Sequence, residues 1–371
     1  MHTLQNDPAA ASQTNATALA AHLRLTLIAA LGPQAWLART AAGQQVVLKT
    51  GAGAAAAVHD LLLKVAALQP PFASPRGIVG QPDLYLLYHY LPGTPLSTAA
   101  FDTDEVLQAV FELSGRLTAL FRSLKLAPLV AGLTGHASGI DPGHHASARR
   151  LAALGASLGE RQDGLAVRRW EASQSYAWAQ EIVSWCRANW PAGDHEPAPP
   201  WAGLRQRVAD VTSIHLTVHG SSLAHTAFTP EHILSTAPGH WAILSWQVAP
   251  RPYNYMRYRY LAWCLVHTPQ GDIATRYRRF LSQIPAINAA AAHPLTFALA
   301  LLQTWVEARG AVSHRQEKWQ VIQAFVAEAI TPEYGGVDRT RCTMSRGCMV
   351  PVRTGFGCKA RPSSAPDLEC C

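Results

Sequence analysis

Between residues 25 and 49 the apolar positions come in short runs broken by turn-forming residues, the pattern of antiparallel strands. Runs at 25–31, 35–40 and 44–49 are separated by Gly32-Pro33 and by Ala41-Ala42-Gly43, both turn signals. An apolar stretch at 54–68 predicts a helix, and a further strand at 84–90 ends in the turn Leu91-Pro92-Gly93-Thr94-Pro95-Leu96. Beyond that turn the period becomes helical. Val106, Val110, Leu113, Leu117 and Leu120 share one face of a helix over 104–123, with Asp102 or Thr103 as its cap. Trp170, Trp178 and Trp185 recur at near two-turn spacing on another helix face, with Trp190 and Trp201 beyond them. Such a stripe is expected in the core, the alternative being a flat-ligand site. The Pro-rich stretch 191–200 reads as a loop, and 295–309 and 314–330 as closing amphipathic helices. Residues before about Thr17 form a polar, Ala-rich lead-in, and from residue 333 the glycines, prolines and lost periodicity predict disorder.

A chain of 371 residues can bury a sizeable core as one bilobal unit or two domains. Hydrophobic residues make up 49% and charged residues 15%, the latter well below the roughly 25% of average soluble proteins, which favours much buried surface. The net charge of +7 is spread over pairs such as Arg149-Arg150 and Arg168-Arg169 without one long run, so no nucleic-acid partner is expected. The apolar stretch 286–306 is interrupted by Asn288, His293, Pro294 and Gln303, which reads as buried helices and not as a membrane span. Residues 1–8 lack a basic segment followed by an apolar one, and a soluble cytoplasmic protein is expected. Cys186 and Cys264 stand alone, while Cys342, Cys348, Cys358, Cys370 and Cys371 crowd the end without a C-x-x-C pair. Neither these nor the loop histidines His136, His144 and His145 have the spacing or partners of a metal site.

The candidate chemistry lies at 225–247, HTAFTPEHILSTAPGHWAILSWQ. This segment resembles the active-site segment of the aminoglycoside and choline phosphotransferases, relatives of the protein kinases. That family carries H-G-D-x-x-P-x-N and, one hairpin later, two hydrophobic residues followed by D-W/F-E. Here Ala227 holds the first Asp position, His232 the Asn position and Ser245 the second Asp position. Phosphoryl transfer from ATP requires a group to position the attacking hydroxyl and oxygen ligands to hold Mg²⁺. Ala227 and Ser245 supply no anionic oxygen, and His232 offers nitrogen, which suits softer metals. A rival register starting from Val218, His219 and Gly220 puts Ser221 and Thr226 at the first Asp and the Asn but overstretches the spacing to Ser245. Both registers lose the metal-binding acids, and Glu231 is the only acidic residue between Asp210 and Asp272.

The same resemblance extends over roughly 25–332. Lys49, at the end of Val46-Val47-Leu48-Lys49, stands where a kinase-like fold places the lysine that neutralises the α- and β-phosphates; the bland reading is a solvent-facing strand end. Asp60, preceded by His59, is the acid available in the helix that would carry the lysine's partner. Tyr90 and Leu91 fall at the hinge whose backbone would meet adenine. The resemblance implies an α+β, two-lobed, protein-kinase-like fold with a small antiparallel-sheet N-lobe at 18–96 and a mainly helical C-lobe at 97–332, preceded by a flexible lead-in at 1–17 and followed by a Cys-rich tail at 333–371. The expected function is that of a catalytically impaired phosphotransferase-like protein that binds a nucleotide, a small molecule or a partner. ATP is the cofactor this implies, without Mg²⁺. The alternatives are an active small-molecule kinase that recruits Glu231 or Asp210, and a structural helical protein without a ligand.

Overall fold

The computed structural model describes residues 8–32, 34–50, 61–62, 65, 72–73, 79–81, 85–98, 101–123, 164–190, 196–214, 221–246, 248–268, 273–284, 292–308 and 312–331. Asp60, the loop histidines His136, His144 and His145, the start of the rival register at 218–220 and the Cys-rich tail lie outside the described residues. The backbone clusters into a unit spanning Met1–Pro332 and a second at Glu333–Cys371. All that follows concerns the first.

Its N-terminal part is a five-stranded antiparallel sheet in the order β1-β2-β3-β5-β4, formed by β1 (Thr26–Gly32), β2 (Ala35–Arg39), β3 (Gln45–Thr50), β4 (Val79–Gln81) and β5 (Tyr85–His89). Gly43, at φ +83°, makes the tight β2–β3 turn where the sequence places Ala41-Ala42-Gly43. Alternation does the rest. Trp36 and Ala38 on β2 and Leu86 and Tyr88 on β5 are buried while their neighbours are not, as a half-covered sheet requires. One element departs from expectation: α1 (Pro8–His22) is helical across most of the stretch read as a flexible lead-in. Its Ala-rich sequence has high intrinsic helix propensity, and Pro8 suits the first helical position.

The remainder is mostly helical: α2 (Asp104–Ser123), α3 (Gly164–Ala188), α4 (Trp201–Ile214), α5 (Tyr255–His267), α6 (Ile273–Ser282), α7 (Ala292–Ala308) and α8 (Arg315–Ile330). This is the α+β division into a small sheet and a helical part that the resemblance implies. At its centre, α5 buries every residue from Tyr255 to Val266 except Arg257 and packs along α7. The buried Arg259 of α5 donates to Thr304 Oγ1 at 2.6 Å and is ion-paired with Glu307, both on α7. That pairing holds the guanidinium charged against its burial. Of the tryptophan stripe, Trp178 is core and Trp185 packs partly buried against it. Trp178 meets Tyr255 edge to face at 5.2 Å, and Trp190 packs on Trp201 and Trp319, which in turn stacks on Trp305 at 5.5 Å. Trp170 lies in α3, but its side chain is outside the described set. No helix among the described residues is long and apolar enough to cross a membrane.

Candidate functional site

Over residues 225–246 the candidate segment folds around a strand end and a hairpin. β7 (Ser221–His225) pairs antiparallel with β10 (Val248–Pro252), which brings His225 opposite Val248. The chain then tightens, Thr229 N donating to Ala227 O at 2.9 Å, and Pro230–His232 makes one 3₁₀ turn that starts, as helices favour, with a proline. β8 (Ile233–Ala237) and β9 (His240–Ile243) form the hairpin, with Gly239 at φ +73° in its turn. Two hydrogen bonds close the loop: Leu244 N donates to His232 O at 2.9 Å, and His225 Nε2 meets Leu244 O at 3.0 Å. Because a carbonyl only accepts, His225 carries its proton on Nε2. Ser245 follows at φ +52°, a left-handed conformation uncommon for residues other than glycine and several-fold enriched in Asn and Asp. Ala227, His232 and Ser245, far apart in sequence, are thus held by one loop, one 3₁₀ turn and the strand end beside it.

Electrostatically the site is basic. His225 is fully buried, and its pKa is pushed down to about 3, chiefly by burial and further by His232 and Lys49, against the stabilising Leu244 carbonyl. Its Nδ1 has no hydrogen-bond partner among the described residues. Burial and the charge of Lys49 also lower the pKa of His232, whose Nδ1 lies 3.0 Å from Thr229 Oγ1. Lys49 is itself lowered by burial. Lys49 is half-buried at the end of β3, and its charge is among the causes, after burial, of the lowering at both histidines. Of the acids considered as examples for an active kinase, Asp210 is exposed and accepts from Gln206 at 2.9 Å, and Glu231 is exposed. Among the described residues no group of three or more His, Cys, Asp or Glu could hold a metal ion.

Tyr90 and Leu91, expected at the hinge, lead into a short strand that pairs with the hairpin. Lys49 sits in β3 between Ala35 and Leu86, and Tyr90 N donates to Gln45 O at 3.1 Å, extending the sheet to the start of the turn. β6 (Thr94–Pro95) then pairs with β8, Thr94 opposite Ser235. Gly93 makes that approach feasible, since a Cβ there would lie 2.9 Å from Ser235 O and 3.0 Å from Leu234 Cβ. From the other side Ala73 N donates to Trp241 O at 2.8 Å, and Phe72 stacks on Trp246, which also meets His225 and Phe121. Leu91 is half-buried beside this junction. Sequence reasoning assigned no role to Gly93, His225 or Trp246. The His that opens the motif and the Trp that closes it were the available signals.

No protein-family model matches the chain, and no curated protein matches it. Solved structures with a similar chain path include an amicoumacin kinase in complex with AMP-PNP, Ca²⁺ and Ami, at 14% identity over 86% of this chain and 95% of that one, with a TM-score of 0.47. A choline kinase from Streptococcus pneumoniae is 10% identical over 86% of this chain and 99% of that one, with a TM-score of 0.45. A thermostable mutant of an aminoglycoside phosphotransferase, in ternary complex with ADP and hygromycin B, is 12% identical over 86% and 99%, with a TM-score of 0.46.

Proposed function

We propose that this chain is a phosphotransferase-like protein whose transfer chemistry has been lost and whose remaining activity is to bind a nucleotide, a small molecule or a partner. The observation that carries the reading is the set Lys49, Ala227, His232 and Ser245: the cation within reach of the loop is retained, and a carboxylate is absent from both acid positions. A nucleotide fits the residues present, with Lys49 beside its phosphates and the backbone of Tyr90 and Leu91 beside its base. Mg²⁺ does not fit. It demands near-octahedral oxygen ligands, and the three motif positions offer a methyl group, an imidazole and one hydroxyl.

Two measurements test this. In a titration with a fluorescent ATP analogue, affinity is expected to be the same in Mg²⁺ and in EDTA; a large gain with Mg²⁺ overturns the loss of the metal site. Lys49→Ala is expected to weaken binding by roughly 1.5–3 kcal/mol, the range for hydrogen bonds to charged groups. Unchanged affinity in a folded Lys49→Ala variant would remove the lysine from the nucleotide site.

A further inference from the structure

Arg257 is an exception within α5, a half-buried guanidinium in a helix otherwise buried from Tyr255 to Val266. Its Nε donates to Ser114 Oγ at 3.0 Å, Nη2 to Phe111 O at 3.2 Å and Nη1 to Asn254 Oδ1 at 3.5 Å, and it lies 5.4 Å over the Phe111 ring. Every one of these acceptors is neutral. Ser114 spends its own proton on Phe111 O at 2.7 Å, so it orients the guanidinium without compensating its charge. An arginine has five N–H groups in a fixed fork. With three engaged, one remains on Nη1 and one on Nη2, the pair that binds an oxyanion in bidentate fashion.

Arg257 lines a cleft of about 130 Å³ between α2, the outer ends of β7 and β10 and the start of α5. Arg122 and Ser222 also line it, and none of its lining residues is acidic. Gly115 leaves the cleft open. A Cβ there would meet only Arg257 Nη2, at 4.0 Å. Glycine inside a helix costs roughly 0.5–1 kcal/mol relative to alanine, and α2 accepts this cost where a longer side chain would cover the guanidinium. The cleft is smaller than the roughly 300–1,000 Å³ that enclose a drug-sized ligand, and its two cations match a dianion better than a monocarboxylate.

We propose that this cleft binds a phosphate group, either as inorganic phosphate or as a small phosphate monoester, held between Arg257 and Arg122 with Ser222 at its edge. It shares no residue with the Lys49–Ser245 site and does not depend on that site's function. The test is calorimetric titration of the full chain at low ionic strength with inorganic phosphate, glycerol phosphate and acetate. Phosphate and glycerol phosphate are expected to bind, the tighter of the two identifying the source, and acetate is not. Arg122→Gln, an exposed position, is expected to weaken phosphate roughly tenfold or more, as loss of a charged hydrogen bond does. Gly115→Asp places a carboxylate beside Arg257 and is expected to abolish phosphate binding while melting above Gly115→Ala. The proposal is overturned if phosphate does not bind at millimolar concentration, if acetate binds equally well, or if both variants bind phosphate like the parent.

Discussion

His225 makes the sharpest demand of any single residue. Its neutral ring is buried, it donates from Nε2 to Leu244 O, and its pKa is depressed to about 3 from the ordinary 6.5. In the unfolded chain the imidazole takes up a proton below about pH 6.5, but in the folded protein it does so only near pH 3. Between those values the unfolded state binds more protons, so stability falls as the pH falls. The slope is about 1.4 kcal/mol per pH unit for one such group. His232, shifted in the same direction, steepens it. Urea unfolding from pH 7 to pH 4 is expected to show this slope, and His225→Gln, which keeps a donor without a titrating ring, is expected to flatten it. An equal slope in a folded His225→Gln variant would assign the acid sensitivity to other groups. Ser245 carries a different constraint, one of backbone shape: its left-handed φ suits Asp or Asn better than Ser, so the residue now present fits its conformation less well than the one the motif calls for.

Among the elements, the junction of β6 with β8 depends on one glycine. Gly93→Val would drive side-chain atoms into Ser235 O and Leu234 Cβ, both under or at 3.0 Å from a Cβ alone. Overpacking of this kind typically costs about 1–3 kcal/mol. Thermal unfolding is expected to register that loss, and nucleotide affinity is expected to fall with it because Tyr90 and Leu91 lead into the same turn; an unchanged melting temperature would mean the junction yields freely. In the sequence Gly93 signals only a Pro-Gly turn, because close approach between distant strands leaves no local trace. The same limit decides which elements were legible. The helix at 104–123 was read to its final bounds because Val110, Leu113 and Leu117 are buried against a polar far side. Helix α5 went unassigned for the opposite reason, being apolar nearly all round, so it has no polar face to reveal its period. In the site, the motif resemblance pointed to Ala227, His232 and Ser245 around one loop, whereas the orphaned Nδ1 of His225 and the field of Lys49 are products of tertiary packing.

At the scale of the whole molecule, the proposed loss of chemistry at residues 227, 232 and 245 is compatible with an ordered loop, because most of what holds the loop lies elsewhere. The loop is held by backbone hydrogen bonds, by the β8–β9 hairpin and by the packing of Phe72, Phe121 and Trp246, and of the side chains at 227, 232 and 245 it is His232 that adds to this, its Nδ1 lying 3.0 Å from Thr229 Oγ1. Closely spaced carboxylates of a metal site repel one another in the metal-free state, so Ala and Ser at these positions avoid that cost, against the cost of holding Ser245 at a left-handed φ. The reverse change is therefore the informative one. Ala227→Asp, His232→Asn and Ser245→Asp together are expected to lower the melting temperature without metal and to recover it with Mg²⁺ and ATP, since a ligand bound only by the folded state stabilises it by mass action. Lys49, whose charge already acts on His225 and His232, would then face two added carboxylates and one imidazole fewer. Mg²⁺-dependent ATP hydrolysis above that of the parent is the expected readout, and it requires no knowledge of an acceptor. Recovery of the melting temperature with no hydrolysis would show a rebuilt metal site without transfer geometry. Robust ATP turnover by the unaltered chain would overturn the loss of catalysis itself, and with it the assignment of Ala227 and Ser245 to the acid positions.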